Sequence, residues 1–98
     1  MIKVLYKHDV KDKWHIIYCP NRLESFQKLV DGYIETVSLP YGGVLICNEE
    51  ALFSNMKFNV RIGEMQLFGP VAIVGAKGEE FDNVPETYVY QWEGKYGT

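Results

Sequence analysis

A chain of 98 residues with 47% apolar residues has the size and composition of one folded domain, residues 1–98, not of a disordered or multidomain chain. The formal charge of −3 divides into +3 over residues 1–30 and −6 over residues 31–98, which is not the clustered positive charge of a nucleic-acid binder and argues against direct nucleic-acid binding. Two cysteines are too few for a disulfide framework, and no stretch approaches the roughly 20 apolar residues of a membrane span. With Met1-Ile2-Lys3 entering a strand pattern at once, no signal peptide is expected, and the chain reads as a reduced, soluble, cytoplasmic protein.

Met1 to Tyr6 alternates, with Ile2, Val4 and Tyr6 on one face and Lys3 and Leu5 on the other. After a charged connection, Trp14 to Cys19 forms a second strand, and the short link predicts an antiparallel hairpin. Pro20 stops that strand. Asn21 is expected to cap a helix over about residues 22–31, with Leu23, Phe26, Leu29 and Val30 on its apolar face and Gly32 as its left-handed terminus.

Tyr33 to Leu39 is a third strand, and Pro40-Tyr41-Gly42-Gly43 supplies a turn whose glycines take positive φ. Val44 to Cys47 is apolar on both faces and should be central. Asn48-Glu49-Glu50 has the chemistry of a helix start, which would turn Ala51-Leu52-Phe53 toward the core. Ser54 to Glu64 has no clean period and reads as a loop or lid, with a short strand at Val60 to Ile62. Val71 to Val74 is a buried strand, Phe81 begins a short edge strand, and Asn83 to Glu86 starts a short C-terminal helix. The fold expected is α+β, a mostly antiparallel sheet of about five strands with one helix, residues 22–31, packed on it and a short C-terminal helix.

No catalytic constellation emerges. His8, His15, Cys19 and Cys47 lack the spacing of a structural zinc site, so no metal is expected. Cys47 precedes two glutamates, the wrong neighbourhood for a reactive thiol. The adjacent pairs Glu49-Glu50 and Glu79-Glu80 diverge on any regular backbone. The glycines match neither phosphate-loop pattern, and no cofactor is implied. Asn59 and Arg61, in the expected lid, have the chemistry of anion or ligand contacts.

Several runs together carry a resemblance: the Met-Ile-Lys-Val opening, Gly32-Tyr33-Ile34-Glu35, Leu39, Gly43, Cys47-Asn48-Glu49-Glu50, Asn59, Gly69 to Gly75 and Gly78 to Phe81. Over nearly its whole length the chain resembles the family known as domain of unknown function 3846. The resemblance implies a small accessory protein of phages or bacterial mobile elements, working in the host cytoplasm, with no catalytic residues to carry over. It points to a non-enzymatic protein that binds and inhibits a host or defence protein. The candidate contacts are Tyr33, Glu35, Asn48, Glu49 and Glu50, joined by Asn59 and Arg61 on the loop. A small-molecule sponge for a nucleotide signal, holding its ligand between the protomers of a homo-oligomer, is the alternative; a small enzyme is a third.

Overall fold

The computed structural model describes residues 1–98. Its strands are β1 (Ile2–Lys7), β2 (His15–Cys19), β3 (Ile34–Ser38), β4 (Gly43–Asn48), β5 (Phe58–Ile62), β6 (Met65–Phe68), β7 (Val71–Lys77) and β8 (Glu80–Asp82), and its helices are α1 (Leu23–Val30) and α2 (Glu86–Trp92). A six-stranded sheet runs in the order β2-β1-β7-β4-β3, with β8 also paired to β7; every pairing is antiparallel. The expected α+β class therefore holds, with its N-terminal hairpin, its central β4 and its C-terminal helix. No helix is long and apolar enough to cross a membrane.

Alternation along the strands gives the sheet two buried faces. On one, Ile2, Val4, Tyr6, Ile46, Ala72 and Val74 pack against Phe26 and Val30 of α1. On the other, Leu5, Leu45, Cys47, Val71 and Ile73 meet Val60, Ile62 and Leu67 of a separate β5–β6 hairpin and Tyr88 and Trp92 of α2. Trp14 joins this second core, its ring 5.3 Å from that of Trp92. Each face is thus closed by a different element, and burying two apolar faces is the main stabilising term.

The structure corrects several local expectations. Asn21 does not cap α1: Arg22 takes the cap position, and the Asn21 amide donates to the Phe81 carbonyl at 2.8 Å, tying the helix entry to β8. Leu23, expected on the apolar face, stays exposed. The left-handed residue ending α1 is Asp31, at φ 60°, not Gly32. In the Pro40–Gly42 turn, Tyr41 and Gly42 take positive φ, whereas Gly43 is extended. Gly43 is required for space: a Cβ there would lie 2.5 Å from the Tyr88 ring.

Residues 49–55 form irregular turns rather than a helix. The N–H of Glu50 bonds to Asn48 Oδ1 as in a capped start, but Met56 N–H then reaches back to the Ala51 carbonyl at 3.0 Å, so no regular ladder follows. Only Ala51 turns inward, while Leu52 and Phe53 are exposed. Within the expected lid over 54–64, residues 58–62 form strand β5, pinned against β6, and turns flank it.

Candidate functional site

The C-terminal end of β4, the 49–55 turn, the edge of β3 and one side of β6 enclose a pocket of about 170 Å³. Glu35, Cys47, Asn48 and Glu49 line it from the sheet and turn, and Leu67 and Phe68 from the hairpin. Leu52 and Phe53 stand at its rim, Phe53 at 90% exposure.

Asn48 builds this corner. It is buried, and its Nδ2 donates to the carbonyls of Val30 at 2.9 Å and Asp31 at 3.2 Å. These are carbonyls that the end of α1 leaves without helical partners. Its Oδ1 accepts from Glu50 N–H at 2.7 Å. With both ends of the amide engaged, Asn48 fixes where Glu49 and Glu50 stand and offers little of itself to a ligand. The two glutamates are exposed.

The β3 register decides what the edge presents. The Tyr33 carbonyl accepts from Glu49 N–H at 2.9 Å, and Leu39 N–H donates to the Gly43 carbonyl at 2.8 Å. With Glu35 opposite Cys47 and Val37 opposite Leu45, the odd-numbered residues turn their backbone groups toward β4. The N–H and C=O groups of Ile34, Thr36 and Ser38 therefore point away, where no strand follows. This edge has no Lys, no Pro and no bulge, the usual devices that discourage pairing. Its one charge is Glu35, whose side chain shares a face with Val37 and rims the pocket.

The opposite edge is better closed. Trp14 N–H donates to the Lys95 carbonyl at 2.9 Å, and Gly94 N–H donates to the Trp14 carbonyl at 2.7 Å, so the C-terminal segment covers the start of β2.

Of the residues nominated from sequence, the structure brings together Tyr33, Glu35, Asn48, Glu49 and Glu50. It separates the other two from them. Asn59 lies on no mobile loop: it is buried on β5, with Nδ2 donating to the carbonyls of Lys7 and Gly69 and Oδ1 accepting from the Lys7 ammonium. Arg61 is exposed on the same strand, its Nε donating to the Gly63 carbonyl at 2.8 Å, and it lines a different opening. The sequence alone turns Phe53 toward the core and gives Phe68 no role, so neither aromatic of this pocket stands out in it. The bare edge does not stand out either, because strand order is not written in any one strand.

The pocket thiol is poorly suited to nucleophilic attack. Burial, and then the charge of Glu35, pushes Cys47 up to about 11, so it stays protonated at neutral pH. Burial also raises Cys19. No three His, Cys, Asp or Glu side chains gather where they could hold a metal.

This architecture is an α+β domain: an antiparallel sheet closed by a helix on one face and by a hairpin and helix on the other, with one acidic corner beside an open edge. The chain belongs to the family described as Domain of unknown function (DUF3846), which matches residues 2–97. No curated protein and no solved structure matches it.

Proposed function

We propose that this protein is a non-enzymatic binding module that takes up an extended, basic segment of a partner protein as an added strand along β3. The observation that carries this reading is the row of outward-facing backbone groups at Ile34, Thr36 and Ser38, with Glu35 in mid-strand and Glu49 and Glu50 at one end. In strand addition the backbone supplies affinity and alternate side chains supply specificity. An incoming residue beside Glu35 lies on the pocket side of the sheet, where Phe53 and Phe68 offer apolar surface and the glutamates favour Lys or Arg. The phage and mobile-element setting implied by the resemblance supports a host or defence protein as partner. Inhibition follows naturally, since a segment held as the seventh strand is lost to its own protein.

The test is peptide display against the wild type, with Thr36→Pro as counter-selection. Proline at this position removes an N–H that faces solvent and leaves the β3–β4 ladder intact. The wild type should enrich peptides that alternate apolar and basic residues, with binding weakened by salt. Thr36→Pro and Glu35→Lys should lose them while melting like the wild type. Peptides that bind Thr36→Pro equally well would refute the reading. Self-association abolished by Thr36→Pro would place a second copy on the edge and overturn it as well.

A further inference from the structure

The two ends of the β3 edge differ in chemistry. Extended backbone continues past Ser38 through Leu39, at φ −113° and ψ 161°, and Pro40 stops it. Glu35, Val37 and Leu39 therefore share one side of the strand, the side that faces the β5–β6 hairpin and α2. Glu35 lines the pocket described above, and Leu39 lines a second one, of about 280 Å³.

Ile62 and Gly63 at the hairpin turn, and Tyr88 and Trp92 of α2, wall this second pocket, and no charged side chain lines it. Its walls are held in place. The Tyr88 hydroxyl donates to the Pro40 carbonyl, and the Tyr88 and Trp92 rings meet edge to face at 4.9 Å. Tyr41 stands at the rim, 77% exposed, with φ at 61°. A side chain is strained in that left-handed region, where glycine is free. Strain of this kind gathers at binding positions, and here it sets an exposed ring beside an apolar pocket.

We infer, on the strand-addition reading, that this second pocket anchors the incoming segment and fixes its direction. Every pairing in the sheet is antiparallel, and antiparallel ladders are the more stable, so the added strand runs opposite to β3. Partner residues directly opposite Leu39 and Glu35 then point to the same face, four positions and about 14 Å apart. The one opposite Leu39 comes first along the partner and enters the uncharged, apolar pocket. The one opposite Glu35 follows and meets Glu35 and Glu49. The partner segment is therefore an extended one with a large apolar residue four positions before a Lys or Arg.

Display of a random decapeptide library on the wild type tests this, and the enriched peptides should carry that spaced pair in that order. One of them is then measured by fluorescence anisotropy beside two relatives, one with the apolar residue replaced by Ala and one of reversed sequence. On the wild type, each change should weaken binding at least about tenfold, as expected for an unburied large apolar side chain. The variant Tyr41→Gly/Gln91→Lys alters only exposed side chains and relieves the strain at residue 41. On it, the parent and Ala peptides should differ by less than about threefold, because the pocket contact is already lost. Thermal melting confirms that the variant is folded. If no peptide loses its binding in Thr36→Pro, strand addition fails and this inference with it. Peptides that do depend on the edge, but lack the spaced pair, tolerate Ala at the anchor or bind as tightly when reversed, overturn this inference alone. Self-association kept in Thr36→Pro but lost in Tyr41→Gly/Gln91→Lys would seat a second copy in the pocket and overturn it as well.

Discussion

The Lys7–Asn59 contact should be among the costliest in the molecule to break. Asn59→Ala removes one bond to an ammonium and two to backbone carbonyls, at 2.9, 2.9 and 2.8 Å, the first two buried and the third, to Gly69, part-buried. A bond to a charged group contributes about 1.5–3 kcal/mol and a neutral one about 1 kcal/mol, so the expected loss is about 3–5 kcal/mol. Domains of this size are stable by about 5–15 kcal/mol, so the variant would sit near the edge of folding. Lys7→Met leaves Asn59 Oδ1 without its donor but also removes an unpaired buried charge; its cost should be smaller, about 1–2 kcal/mol. The double variant should cost less than the sum of the singles by at least about 1 kcal/mol, because the two side chains act through one shared bond. Urea unfolding followed by tryptophan fluorescence measures this, with Trp14 and Trp92 reporting from the core that the hairpin closes. A loss below about 1 kcal/mol for Asn59→Ala, or strictly additive singles, would refute the account. Burial also holds the Lys7 ammonium below its ordinary 10.5. The folded state thus disfavours the charged form, and the wild type should gain stability relative to Lys7→Met as pH climbs toward 10.5.

Two further outcomes are expected. Burial, and then the charges of Asp31 and Asp12, pushes the Tyr6 hydroxyl up to about 12 from 10.0. Its contribution is complete below pH 10.0 and lost as pH rises to about 12, by no more than about 2 kcal/mol; Tyr6→Phe should flatten that step in alkaline melting curves. Gly75→Ala would drive a Cβ into the backbone carbonyl of Asn83. A backbone atom yields less than a side chain, so the thermal midpoint should drop by the equivalent of about 1–3 kcal/mol, and an unchanged midpoint would show that β8 shifts freely.

What could be read in the sequence followed from how local each cause is. The β1–β2 hairpin was legible because its alternation and short link belong to neighbouring residues. The existence of α1 was legible from Phe26, Leu29 and Val30, but its cap was not, because Asn21 spends its amide on the distant Phe81 carbonyl. Asn48 shows the same limit: its donor partners, Val30 and Asp31, belong to another element. That Tyr33, Glu35 and Asn48 to Glu50 lie close together is legible because β3 and β4 are neighbours in both sequence and space. Asn59 and Lys7 are far apart along the chain, and no pattern in either segment announces that one is the other's partner.

The order of the strands has a consequence for how the chain is made. Leu5 pairs with Ile73, and Lys3 takes its backbone partners from Asn83 and Val84. A nascent chain leaving the ribosome can form the β1–β2 hairpin early, but one side of β1 stays bare until β7 and β8 emerge. Closure is therefore late and mostly non-local, a topology that folds slowly and exposes strand edges while it waits. During that interval the N-terminal hairpin carries an unpaired edge for longer than the β3–β4 hairpin, which waits for the same β7, although in the finished fold β1 lies between two strands.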